Sequence, residues 1–102
     1  MISEEDVRKE LLEVWDPELM MDIINLGLVY EVQVQEAGRK VYVLMTLTAM
    51  GCPAFDSMRE DIKDRISTLP GVEEVEVGLT FTPPWSKERM SEEAQTVFRY
   101  LF

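Results

Sequence analysis

The side chains of this sequence with chemistry to offer are one thiol, Cys52, and a run of carboxylates toward the N-terminus. Cys52 sits in Gly51-Cys52-Pro53, between an apolar stretch (45–48) and an amphipathic one that follows directly. A proline is well placed at the first position of a helix, where its missing N–H has no partner to lose. Cys52 therefore falls at a strand-to-helix junction, where free backbone N–H groups and the helix dipole favour a thiolate. Such a thiol can be a nucleophile, a redox sensor, a metal ligand shared with another chain, or a small buried hydrophobe. The chain has no histidine and no second cysteine. The usual base of a Cys–His pair, an intrachain disulfide and a four-thiolate zinc site within one chain are thereby excluded. Only Asp16, Glu18 or Asp22 could serve as a base, and nearby carboxylates oppose thiolate formation. An iron–sulfur site, which needs about four ligands, fits better if other chains or carboxylates complete it. An incomplete ligand set of that kind suits transient binding.

The elements that must position these groups are legible from periodicity. Ser3-Glu4-Glu5-Asp6 has the form of a helix start, with Ile2 and Val7 placed as a hydrophobic staple. Val7, Leu11, Val14 and Trp15 form an apolar stripe, so a first helix is expected over about 4–15, ended by Pro17, with Trp15 in the core. The connection over 15–27 lacks periodicity but is too apolar for a free loop. It is expected to pack tightly, with Asp16, Glu18 and Asp22 on a common side. Leu28, Tyr30, Val32 and Val34 alternate with polar residues as in a strand. A turn at 36–39 leads to a return strand over 41–48 that carries Val41, Val43, Met45 and Leu47 on one face. A second helix over about 53–68 buries Phe55, Met58, Ile62, Ile66 and Leu69 and ends at Pro70-Gly71. A third strand follows with Val75, Val77, Leu79 and Phe81. Thr82-Pro83-Pro84-Trp85 is extended, and Ser91 caps a last helix with Ala94, Val97, Phe98 and Leu101 on its apolar side.

The order α-β-β-α-β plus a C-terminal helix makes a two-layer α/β (α+β) sandwich the simplest fold. The connection through the second helix allows a three-stranded mixed sheet. The second sheet face is expected to meet the C-terminal segment or another subunit. A chain of 102 residues with 46% hydrophobic content is read as one folded domain, 1–102. The charge of −10 disfavours nucleic acid and anionic membrane surfaces as partners. No apolar run is long enough to cross a bilayer, and the acidic N-terminus is unlike a signal peptide, so a cytoplasmic protein is expected.

Three segments carry a resemblance: DPELMMDIINLGLVY at 16–30, MTLTAMGCP at 45–53 and PPWSKERMSEEA at 83–94. Together they resemble the iron–sulfur cluster assembly domain family that includes SufT, PaaD and the N-terminal domain of Mrp-type cluster carriers. The resemblance spans nearly the whole chain. It implies a non-enzymatic factor in iron–sulfur protein maturation, with iron or a cluster bound transiently at Cys52 across a homodimer. It implies a pocket of Asp16, Glu18, Asp22, Asn25, Thr46, Thr48 and Gly51 beside the cysteine, and partner contacts through Pro83, Pro84 and Trp85. The implied partners are cluster carriers or scaffolds and client apoproteins. No nucleotide-binding loop is present, so no nucleotide is expected. Many members carry glycine where this chain has Met20, and several carry proline where it has Met50. The alternatives are a metal-independent adaptor linking carriers to clients, and a factor serving a phenylacetyl-CoA-oxygenase-type complex.

Overall fold

Residues 2–16, 20–47 and 54–101 are described by the structure, a computed structural model, with the backbone alone at Ala54, Phe98, Tyr100 and Leu101. The first helix, α1 (Glu4–Leu11), opens as its sequence dictates. The Ser3 hydroxyl accepts from the Asp6 backbone N–H at 3.2 Å, and the Asp6 carboxylate accepts from the Ser3 N–H at 3.0 Å. This reciprocal cap satisfies donors that the helix itself leaves free. Ile2 and Val7 are both buried across it.

α1 ends four residues before the expected position, and the cause lies downstream. The Glu13 N–H donates to the Glu10 carbonyl and the Val14 N–H to that of Leu11, so the last turn tightens to an i→i+3 pattern. The chain then enters a two-residue strand, β1 (Trp15–Asp16), which pairs antiparallel with β2 (Met21–Asp22). The Ile23 N–H donates to the Val14 carbonyl at 2.9 Å and extends this small ladder. Cross-strand partners share a face, so Trp15 goes with Asp22, and Asp16 with Met21. Asp16 and Met21 are buried, whereas Trp15 is 52% exposed. The placement of Trp15 in the core is therefore corrected: pairing rotates its ring away from the α1 stripe.

β3 (Val29–Gln35) and β4 (Lys40–Met45) form the expected hairpin. They are joined by a tight turn in which Glu36, Ala37 and Gly38 all have positive φ. α2 (Ala54–Ser67) then crosses over to β5 (Glu74–Leu79), which lies parallel to β4. The sheet order is β3-β4-β5, a three-stranded mixed sheet. Register places Val32 opposite Val43, Val34 opposite Val41, and Val41 and Val43 beside Val75 and Val77. These side chains line the face covered by α1 and α2, where Val7, Leu11, Met58, Ile62 and Ile66 are fully buried. Each such side chain contributes roughly 1.5–3 kcal/mol.

The opposite sheet face carries Glu31, Gln33 and Gln35, with Lys40 about 4 Å from both Glu74 and Glu76. Tyr42 lies across Gly78, where a Cβ would come within 2.5 Å of its hydroxyl. The anchors of the C-terminal segment reach the turn before β3 and the start of that strand. The Trp85 indole N–H donates to the Leu26 carbonyl at 2.7 Å, the Tyr30 hydroxyl to the Pro83 carbonyl at 2.7 Å, and the Ser91 N–H to the Asn25 carbonyl at 2.9 Å. At Gly27 (φ 75) the Arg89 carbonyl comes so close that a Cβ would collide with it. α3 (Glu92–Leu101) follows, capped by Ser91, whose hydroxyl accepts from the Ala94 N–H at 3.1 Å.

Candidate functional site

The expected site combines Cys52 with residues from the β1–β2 connection and the end of β4. Cys52, Glu18, Thr48 and Gly51 lie outside the described residues. The others can be placed. Thr46 follows β4 where the sheet leads toward α2. Its N–H donates to the Leu28 carbonyl at 2.8 Å, and its side chain is fully buried. Among the described residues no partner reaches the Thr46 hydroxyl. A buried hydroxyl normally has a partner, so Thr46 stands out among the described polar side chains.

Asp16 is 2% exposed, on a strand that packs against α2. Asp22 leaves the same ladder on the opposite face and is half-buried. Of the three acids expected on a common side, the two that are described thus diverge. The reason is the strand alternation of the short ladder, for which the sequence shows no period. Asp22 also has a local task. Its carboxylate accepts from the Asn25 backbone N–H at 2.9 Å and from the Asn25 side-chain amide at 2.7 Å. Asn25 and Asp22 therefore hold the turn that delivers Gly27 to the start of β3.

Pro83 and Pro84 are exposed, while Trp85 is half-buried against the core with its indole N–H bonded to Leu26. The Trp85 ring thus fastens the C-terminal segment to the domain. Beside it, Gly27, Val29, Tyr30, Pro83 and Arg89 line a cavity of about 410 Å3, with the Arg89 guanidinium 4.6 Å from the Tyr30 ring centre. A second, smaller groove of about 250 Å3 runs between the β1–β2 ladder and α3. Neither was legible in the sequence, because each joins residues that only the tertiary fold brings together. A faint signal for the second existed in the Met20-Met21 pair, apolar residues in a connection without periodicity.

Among the described residues, no group of three or more histidine, cysteine or carboxylate side chains could hold a metal ion. No helix is long and apolar enough to cross a membrane. Fold and residue content together define a small α+β domain with a single thiol and, in its described part, no internal metal-ligand set. Residues 4–77 match the family described as "Iron-sulfur cluster assembly protein", and the chain belongs to that family.

Similar proteins extend this over most of the chain. A Porphyromonas gingivalis protein named "Fe-S protein maturation auxiliary factor" is 43% identical over 97% of this chain and 93% of its own. Staphylococcus aureus "Fe-S protein maturation auxiliary factor SufT" is 44% identical over 80% of this chain and 92% of its own. A crystal structure titled as a domain of unknown function, DUF59, from Bacillus anthracis superposes with a TM-score of 0.89. It is 43% identical and covers 94% of this chain and 91% of that one. The shared fold includes the mixed sheet derived above.

Proposed function

We propose that this chain acts in iron–sulfur protein maturation, taking up iron or a cluster transiently through the Cys52 thiolate and passing it on. The carrying observation is the match to named maturation factors over most of both chains, at 43% and 44% identity. Supporting it, the single thiol without histidine leaves the chain unable to complete a tight thiolate site alone, as a donor of cargo should be. A non-enzymatic role, a cytoplasmic setting and a homodimer that supplies a second thiol belong to the same reading. Cluster carriers or scaffolds deliver the cargo and client apoproteins receive it. Asp16 and Thr46 are the described polar groups in the expected pocket that are buried, so they are its proposed lining. The relatives' names refer to iron–sulfur proteins in general, which supports a general role over service to one oxygenase complex.

Anaerobic reconstitution with iron and sulfide, followed by visible absorption and native mass spectrometry, tests the reading. Wild type is expected to gain a charge-transfer absorbance and bound iron that Cys52→Ala lacks. Identical spectra for the two proteins would sink the cargo-binding role and leave the metal-independent adaptor.

A further inference from the structure

Of the five exposed large hydrophobic side chains in the described structure, three share one groove, while Leu12 and Leu79 are not in its lining. Trp15 (52%), Met20 (68%) and Val97 (45%) all line the groove between the β1–β2 ladder and α3, together with Met21 and Ala94. The backbone at Met20 is held in the left-handed region at φ 57, an unfavourable place for a side chain. Methionine adapts its shape to a visiting apolar group, which suits it to a docking surface.

Size and charge together indicate the visitor. A volume of about 250 Å3 lies below the roughly 300–1,000 Å3 of small-molecule sites and accepts a large side chain or two. The charged residues in the lining, Asp22 and Glu93, are both acids, and Glu92 stands exposed next in sequence. A second copy of this chain would bring its own charge of −10 against that rim. We propose that the groove docks a segment of a partner protein bearing one or two large apolar side chains flanked by lysine or arginine. The segment belongs to a carrier or client, and in this the inference rests on the maturation reading. Its apolar anchor fills the space between Trp15, Met20 and Val97, and its cations face Asp22 and Glu93.

The test is a nuclear magnetic resonance titration with a twelve-residue synthetic peptide carrying a central Phe–Leu pair between paired lysines. Saturable shifts are expected at the Trp15 indole and at the amides of Met20, Met21, Ala94 and Val97. Affinity should fall about tenfold or more when salt screens the lysines. Replacing Phe–Leu by serines, or the lysines by glutamates, should abolish binding. Val97→Glu should also weaken it about tenfold by placing a charge in the apolar contact. Met20→Gly removes the side chain while relieving the backbone, so binding should weaken although thermal stability holds or rises. Unchanged affinity in both variants, equal binding of the serine peptide, shifts centred on Tyr30 and Arg89, or no saturable shifts would overturn the proposal. So would self-association through this groove. Iron reconstitution of Val97→Glu and peptide binding by Cys52→Ala separate the two ideas: loss of iron uptake alone in Cys52→Ala leaves the groove standing. Peptide failure with normal iron uptake removes only the groove.

Discussion

At the scale of single residues, Thr46 and Gly27 make opposite demands. Thr46 is fully buried with no hydrogen-bond partner for its hydroxyl among the described residues. Valine keeps its shape and removes the unmet polar group. Thr46→Val is therefore expected to leave stability unchanged or raise it by up to about 1 kcal/mol in calorimetry. A loss of about 2 kcal/mol would show instead that the hydroxyl is bonded in solution. Gly27 tolerates nothing larger, because φ is 75 and the Arg89 carbonyl occupies the space a Cβ would need. Gly27→Ala should cost about 2–4 kcal/mol in denaturant unfolding, from left-handed strain plus displacement of the 86–90 segment. A wild-type midpoint would contradict that packing. The sequence places Gly27 at the end of the 15–27 connection but could not display Arg89 pressed against it. That contact spans most of the chain and leaves no local pattern.

At the scale of elements, the long periodic segments were readable and the short ladder was not. The second helix expected over 53–68 is observed as Ala54–Ser67, because its apolar positions recur at helical spacing and Pro70-Gly71 ends it. The stripe Val7–Leu11–Val14–Trp15 read equally well as helix, yet α1 stops at Leu11. Pairing of Trp15 and Asp16 with Asp22 and Met21 overrides local propensity there, and two-residue strands carry no period of their own. The same misreading hid the face on which Asp22 emerges, and with it half of the candidate site's geometry. The start of α1 was fully legible and gives a pH prediction. The hydrogen bond from the Ser3 backbone, aided by the Ser3 hydroxyl, holds the Asp6 carboxyl below its ordinary range. A depressed carboxyl stabilises the fold above its unfolded pKa and loses that contribution as pH falls through the lower folded value. Wild type should therefore exceed Asp6→Asn in thermal stability near neutral pH, with the margin shrinking as pH falls below about 4. A margin independent of pH would show that the charged cap contributes nothing.

At the scale of the whole molecule, the layers divide the work. The face of the sheet under α1 and α2 supplies the core, and the opposite face keeps its polar ladder of Glu31, Gln33, Gln35, Lys40, Glu74 and Glu76. The sequence foresaw that these two helices cover one face. On the other face Tyr42 and Leu44 sit among these polar residues, and Gly78 makes room for the tyrosine ring, a fit that no local sequence pattern displays. The sheet order β3-β4-β5 also sets a timetable for assembly. β3 and β4 join through a four-residue turn, whereas Lys40 meets Glu74 only after all of α2 has been laid between them. Closing the longer loop costs more chain entropy, so the hairpin forms early and the parallel edge arrives late. Native-state hydrogen exchange should accordingly find the β5 amides opening at lower free energy than those shared by β3 and β4. Equal protection along all three strands would mean that the sheet closes as one cooperative unit. Until β5 docks, the flank of α2 that meets it stays uncovered, so Met58, Ile62 and Ile66 are expected to be the side chains a late β5 leaves open.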